Sequence, residues 1–320
     1  NVAARTGISA EKLQLFFEKF AQTDKVMTLF SMGVNQSSQG VNKANSIINC
    51  HLLTGKIGKP GAAPFSMTGQ PNAMGGREVG GLANMLAAHL DLDQPAHQQL
   101  VQQFWNSPKI ATQAGLKAVD LFEAVEAGKI KALWIMATNP VVSLPNADQV
   151  KRALAQCDFV VVSDICQDTD STAYADVLLP ALGWGEKEGS VTNSERRISR
   201  QRAFLPAPGQ AKADWWAISQ VAKAMGFHGF DYQHVHEIFL EHAALSACEN
   251  GPVTQRQDYP LFRYFNLSGL SQLSLQQYEQ LQPLQWPVLT PQQNPPVEQL
   301  FTQGQFSFPN GKARFIATQA

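Results

Sequence analysis

Arg77 and Glu78 stand together inside Ser-Met-Thr-Gly-Gln-Pro-Asn-Ala-Met-Gly-Gly-Arg-Glu-Val-Gly-Gly, the stretch 66–81, which holds five glycines. Glycine serves where backbone turns with φ > 0 or approaches another group closely. A guanidinium is planar, permanently charged and able to donate two parallel N–H bonds. A glycine-rich loop carrying one arginine therefore suits the reception of an anion; the alternative is an ion pair from Arg77 to Glu78 or to a neighbouring helix. Further candidates follow apolar runs: Met32-Gly33-Val34-Asn35-Gln36, Thr138-Asn139-Pro140 and Ser163-Asp164. A carboxylate such as Asp164 can accept both N–H donors of a guanine edge, or bind a ribose. Asn139 and Asp164 also suit turns and helix caps, but three such sites in consecutive units favour a nucleotide. Lys187, in Trp184-Gly185-Glu186-Lys187-Glu188-Gly189, either meets a phosphate or forms an exposed ion pair of small energy. Asp214, in Lys212-Ala213-Asp214-Trp215, is a helix cap or a second carboxylate for guanine.

Ligands of open parallel sheets bind at the carboxyl ends of strands, so the elements around these residues matter. Val26–Phe30 reads as a buried strand, followed by a helix from about Asn42 to Leu53 that stops at Thr54-Gly55. Before it, Ser9 is an N-cap with Glu11 in the first turn, and Leu13, Phe16, Phe17 and Phe20 recur at helical spacing. A helical segment is expected near Leu82–His89, and polar-faced helix from Gln94 to Phe122. Ala132–Ala137, Phe159–Val162 and Val177–Pro180 are short apolar strands, with a helix Asn146–Gln156 near whose start Pro145 sits favourably. Such alternation indicates a parallel sheet covered on both faces. A helix over Gln210–Met225 places Trp215, Trp216, Ile218, Val221 and Ala222 on its apolar side. Residues 254–305, rich in Gln, Pro and Leu, read as a linker or peripheral wrap.

The 320 residues allow one large or two ordinary domains, and 44% apolar with 16% charged residues is the profile of a globular chain with a core. A net charge of −1 gives no electrostatic case for nucleic acid or an anionic membrane. No apolar run approaches the roughly 18 residues that span a bilayer. Cys50, Cys157, Cys166 and Cys248 lie 107, 9 and 82 positions apart, matching neither a zinc knuckle nor an iron–sulfur run, so buried free thiols are expected. His228, His234, His236 and His242 form a cluster that reads as satisfied histidines on a solvated helix rather than as a metal site. The first residues, Asn-Val-Ala-Ala-Arg, carry no signal-peptide pattern and read as the middle of a longer protein.

The 66–81 loop resembles the substrate-side loop of assimilatory nitrate reductases, molybdenum enzymes of the dimethyl-sulfoxide-reductase family. The order Met-Gly-x-Asn-Gln, Leu-Leu-Thr-Gly-Lys-Ile-Gly-x-Pro-Gly, Gly-Gln-Pro, Asn-Pro, Ser-Asp, Ala-Asp-Val-Leu-Leu-Pro, Glu-Lys-Glu-Gly and Ala-Asp-Trp is similar to the middle of molybdopterin oxidoreductases and covers most of 1–225. Phe-Pro-Asn-Gly-Lys-Ala-Arg-Phe at 308–315 resembles the connector before their C-terminal barrel. The resemblance implies an α/β chain of two three-layer α/β/α lobes with parallel sheets and Rossmann-like nucleotide-binding topology. Residues 1–68 would belong to the first lobe and 69–236 to a second lobe binding the guanine dinucleotide. Residues 237–320 would form a peripheral region leading to a barrel outside the chain. The implied cofactor is molybdenum bis(molybdopterin guanine dinucleotide), with a four-iron cluster and the metal-ligating cysteine also outside the chain. Met32 and Gln36 would line the pterin, and Asn139, Ser163, Asp164, Lys187 and Asp214 would bind the guanosine-diphosphate end of one dinucleotide. Gln70 would lie near the active centre and Arg77 would hold nitrate. The implied reaction is oxygen-atom transfer leaving nitrite, in the cytoplasm, with electrons from ferredoxin or an NADH-linked reductase subunit.

Three relatives of that fold stay open. Formate dehydrogenases usually place an arginine where Thr68 stands. Periplasmic nitrate reductases differ around Ala73–Arg77, where the Gln70-to-Arg77 spacing here is one residue shorter. The iron–sulfur subunit of respiratory complex I keeps the fold as a scaffold, without need for Arg77, Lys187 or the two aspartates. Residues 1–320 alone are expected to be inactive, since the cofactor would be sandwiched against parts outside them.

Overall fold

The computed structural model describes residues 2–291, 299–306, 308 and 310–319. Part of the Gln/Pro-rich stretch, 292–298, and Pro309 of the connector motif lie outside the described residues. The chain divides into two compact units, Asn1–Pro71 with Pro296–Ala320, and Asn72–Pro295.

In the first unit, α1 (Val2–Thr6) and α2 (Ala10–Gln22) precede β1 (Met27–Phe30), α3 (Met32–Asn35), α4 (Gly40–Leu53) and β2 (Ala63–Ser66). Ser9 caps α2 as expected, its hydroxyl accepting from the Lys12 N–H at 3.4 Å, and Thr54 ends α4. β1 and β2 pair in parallel from Met27↔Ala63 to Phe30↔Ser66. One face of β1 is tied to α4, where Thr28 Oγ1 and His51 Nε2 are 2.8 Å apart. The other face corrects the expectation of a buried strand: Met27 is 48% and Leu29 57% exposed. A two-stranded sheet has no second covering layer among the described residues. The α2 stripe divides likewise, Phe20 packing edge-on to His51 while Phe16 and Phe17 stay exposed.

The second unit runs through α5 (Ala73–Glu78), α6 (Pro95–Phe104), α7 (Ala118–Glu126), β3 (Ala132–Met136), α8 (Pro140–Ser143), α9 (Ala147–Gln156), β4 (Phe159–Asp164), β5 (Val177–Pro180), β6 (Gly189–Thr192), β7 (Arg197–Gln201), α10 (Asp214–Ala224), α11 (Val235–Ala247), α12 (Leu275–Glu279) and β8 (Leu284–Gln285). The parallel sheet has the order β3-β4-β5. Ile135, Val160 and Val162 bury one face against Phe122 and Val125 of α7 and Val150, Ala153 and Leu154 of α9. The opposite face is only partly covered, Phe159 and Val177 being exposed. Pro145 lies one residue before the N-cap Asn146, while Pro140 takes the first-turn position of α8. An antiparallel sheet β6-β7-β8 completes the unit.

Several expectations are corrected. Leu82–His89 is not helical: Ala88 and His89 take φ of 57° and 56°, and Leu86 N–H bonds Leu90 C=O at 3.0 Å. Leu86, Ala87, Ala88, Leu90 and Leu92 are all buried, so this apolar turn is surrounded by core rather than facing it with one stripe. The 94–122 stretch holds two helices: α6 stops at Phe104, Asn106 turns at φ 47° ahead of Pro108, which cannot continue a helix, and α7 begins at Ala118. The expected apolar side of α10 divides: Ala222 is buried and Trp215 half-buried, whereas Trp216, Ile218 and Val221 are exposed and Ser219 is buried. The largest change concerns 254–305 and the boundary at 236. Phe265, Leu267, Leu270, Tyr278, Leu281, Leu284, Trp286 and Val288 are buried with Phe239, Ala243 and Leu245 of α11 in the principal core. The second unit therefore extends well past 236. Sparse charge and frequent Pro and Gln conceal a core built from spaced large residues on irregular backbone. α11 is correspondingly a core helix rather than a solvated one, and all four thiols are free, with Cys50 and Cys166 exposed rather than buried.

Candidate functional site

The carboxyl ends of β3, β4 and β5 lie side by side, since Met136 pairs with Ser163 and Asp164 with Pro180. The start of α10 joins this edge: Lys212 N–H bonds Pro180 C=O at 3.0 Å and Leu182 N–H bonds Lys212 C=O at 3.2 Å. Asn139, Asp164, Lys187 and Asp214, dispersed over 76 positions, thus gather along one rim. Asn139 precedes α8, its Oδ1 accepting from the Ser171 hydroxyl at 2.6 Å and its amide donating to Asp170 at 3.4 Å. Asp164 makes an Asx turn, accepting from the Cys166 N–H at 3.0 Å. Ser163 is 2% exposed, and its hydroxyl accepts from the Trp134 indole N–H at 2.8 Å. Its side chain faces Trp134 rather than the rim, because strand alternation turns it away from the edge occupied by its neighbour.

Lys187 Nζ is 3.2 Å from Asp214 Oδ2, and both side chains are about 30% exposed, at 29% and 30%. The two residues read separately from the sequence are therefore one ion pair. Asp214 Oδ1 is buried and has no hydrogen-bond partner. A buried acceptor left without a donor is costly unless a ligand or water supplies one.

In the first unit, Met32 begins α3 directly after β1 and is half-buried. Gln36 ends α3 with an exposed side chain, and Asn35 ties the two strand ends by donating to Ser66 Oγ at 3.0 Å. Gln70 is exposed and accepts from the Thr68 hydroxyl at 2.5 Å. The division between units falls after Pro71, so Gln70 belongs to the first and Arg77 to the second.

Arg77 sits in the last turn of α5, exposed; its carbonyl accepts from the Gly80 N–H at 3.1 Å, and its guanidinium makes no hydrogen bond or ion pair among the described residues. The alternative reading, a pair with Glu78, does not form. Glu78 points inward at 2% exposure, accepting from Thr192 Oγ1 at 2.7 Å and from the Trp286 indole N–H at 2.6 Å. Burial raises its pKa above the usual carboxylate range, an effect its two donors partly offset. Beside it, His89 packs on Phe265 and Trp286 at ring separations of 5.1 and 5.7 Å. Burial, then the charges of Arg263 and Arg77, push the His89 pKa down to about 4. Two glycines permit this loop: a Cβ on Gly75 would lie 2.1 Å from Asn72 Oδ1, and one on Gly80 (φ +73°) 2.5 Å from Ala87 N. The inward partners Thr192 and Trp286 were not singled out in the sequence; no local motif marks either, and Trp286 falls in the stretch read as linker.

The histidine cluster disperses. His234 caps α11, His236 Nε2 is 2.6 Å from Leu273 C=O, and His242 packs on Phe265. Among the described residues no three His, Cys, Asp or Glu are placed to hold a metal, and no helix is long and apolar enough to cross a membrane.

Residues 5–224 match the family model for molybdopterin oxidoreductase. A nitrate reductase of Shewanella frigidimarina is 52% identical over 99% of this chain and 33% of that protein. One of Klebsiella oxytoca is 51% identical over 90% of the chain and 32% of that protein. An assimilatory nitrate reductase catalytic subunit of Bacillus subtilis is 35% identical over 75% and 34%. The chain spans about a third of the length of these curated relatives. Among solved structures, the acetylene hydratase of Pelobacter acetylenicus matches 54% of this chain and 21% of that one, with 19% identity and a TM-score of 0.39.

Proposed function

The chain belongs to the molybdopterin oxidoreductase family, and we propose that it is part of the catalytic subunit of an assimilatory nitrate reductase. Its cofactor would be molybdenum bis(molybdopterin guanine dinucleotide), and its reaction the conversion of nitrate, two electrons and two protons to nitrite and water. When bound, that group supplies the two-electron, oxygen-accepting chemistry. The residues present fit it. Asp214 Oδ1 is a buried acceptor awaiting a donor, which the N–H edge of guanine provides. Asn139, Asp164 and Lys187 stand on the same rim, where Lys187 would neutralise a phosphate and Asn139 and Asp164 would accept from base or ribose. Ser163 stands beside Asp164 in β4, its hydroxyl accepting from the Trp134 indole N–H. Met32 and Gln36 would line the pterin, and Gln70 would lie near the reacting atoms. Electrons would come through a four-iron cluster outside these residues, from ferredoxin or an NADH-linked subunit in the cytoplasm, and residues 1–320 alone would be inactive.

One observation carries the substrate assignment: Arg77 offers an unpaired planar guanidinium to solvent while its neighbouring carboxylate is engaged elsewhere. Nitrate is a planar anion with three equivalent acceptors, so the fork holds it by two parallel bonds and sets its orientation. A hydrogen bond to a charged group contributes about 1.5–3 kcal/mol. In the full-length holoenzyme, Arg77→Ala should raise the nitrate KM roughly 10- to 150-fold, measured as nitrite formed with a reduced dye. An unchanged KM rejects the role of Arg77. Formate oxidation without nitrite production by the unaltered enzyme rejects the substrate.

A further inference from the structure

Helix α5 has six residues, less than two turns, and a helix this short does not hold its own geometry in water. It is held instead from both ends by one residue of β6. Thr192 N–H donates to Asn72 Oδ1 at 2.9 Å just before the helix, and Thr192 Oγ1 donates to Glu78 Oε2 at 2.7 Å in its last turn. The second carboxylate oxygen accepts from Trp286 at 2.6 Å, and the Glu78 carbonyl accepts from the Ala88 N–H at 2.7 Å. Trp286 is itself fixed. Its backbone exchanges bonds with Arg196, whose guanidinium lies 5.2 Å from the indole centroid, and its ring meets Phe265 edge-on at 5.3 Å.

Consecutive helical residues point about 100° apart. Pinning Glu78 into the core therefore turns Arg77 outward. An apolar side chain would fill the position of Glu78 with less desolvation cost. What the carboxylate adds is direction, because each oxygen is claimed by one donor from a different element. We infer that Glu78, Thr192 and Trp286 form a positioning clamp that sets how Arg77 presents its guanidinium, so that affinity for a planar oxyanion depends on a tryptophan 208 positions downstream of the clamped glutamate. This rests on the assignment of Arg77 to nitrate and names positioning residues for it.

The test is a double-mutant cycle in the full-length holoenzyme, with nitrate KM, kcat and the melting temperature measured for each variant. Trp286→Phe removes one donor and Thr192→Val the other, each keeping most of the volume. Either should raise KM about tenfold with kcat within about twofold, since a small displacement of a binding group weakens binding sharply. Glu78→Gln retains an acceptor for Trp286 and can donate to Thr192, so it should stay within about twofold of the parent. In an Arg77→Ala background neither Trp286→Phe nor Thr192→Val should change KM further, because the clamp acts through the arginine. Equal KM shifts with and without Arg77, or a loss confined to melting temperature, overturns the clamp. Arg77→Ala with unchanged KM overturns the underlying assignment instead, and the two failures are thereby separate. If Trp286→Phe does not fold, Thr192→Val decides alone.

Discussion

Tyr278 tests the reassignment of the Gln/Pro-rich stretch from periphery to core. It is fully buried, at 0% exposure, between Phe239 and His236 at ring separations of 5.0 and 5.3 Å. The Arg200 guanidinium lies over its ring at 3.9 Å and donates to its hydroxyl at 3.0 Å. Arg200 also donates to Gly189 C=O at 2.7 Å and Gln201 C=O at 3.3 Å, with Glu188 at 3.8 Å, while its Nε has no partner. Tyr278→Phe removes one of several bonds to a buried cation and leaves the ring, a loss of about 1–2 kcal/mol. Tyr278→Ala removes the ring as well: about 3–5 kcal/mol for the cavity and about 2 for the desolvated cation–π contact. For a unit of this size each kcal/mol corresponds to about 2–4 °C in melting temperature. Thermal melts by circular dichroism should therefore fall about 2–8 °C for Tyr278→Phe and at least about 10 °C for Tyr278→Ala. A Tyr278→Ala melt within about 2 °C of the parent would mean that 237–295 is a dispensable wrap and that the core described above is not the one that holds the unit.

Two further outcomes follow from the neighbourhood of Arg77. Burial drives the pKa of both His89 and His242 down to about 4. Each contributes stability present above the unfolded value of about 6.5 and lost as pH falls towards 4; urea midpoints across that range should fall more steeply for the parent than for His242→Asn, and equal slopes refute this. Gly80→Ala forces a Cβ onto φ +73° and within 2.5 Å of the Ala87 nitrogen, so it should cost at least about 2 kcal/mol and raise the nitrate KM; a neutral melt would show that the turn adapts.

The local elements were legible because they depend on short-range physics. Ser9 capping α2, Gly55 after α4 and three apolar strands ending in Met136, Asp164 and Pro180 need only cap chemistry and periodicity. The polar residues at those strand ends could be found for the same reason, since parallel strands leave their carboxyl ends together. What could not be read was which long-range partner each polar group would take. Lys187 and Asp214 look like separate ligand groups until β5 draws the start of α10 beside it. The sequence leaves an Arg77–Glu78 ion pair open beside the reception of an anion, until Thr192 and Trp286 claim the carboxylate. The stretch 82–89 looks helical, but its second half is a buried turn, Leu86, Ala87 and Ala88 lying in core while Ala88 and His89 take the left-handed region. Residues 254–288 look like linker because their large apolar side chains follow no helical or strand period. Periodicity reports burial against one flat layer, whereas these residues are buried by irregular backbone wrapping a core from several directions, and that enclosure exists only once the chain has closed on itself.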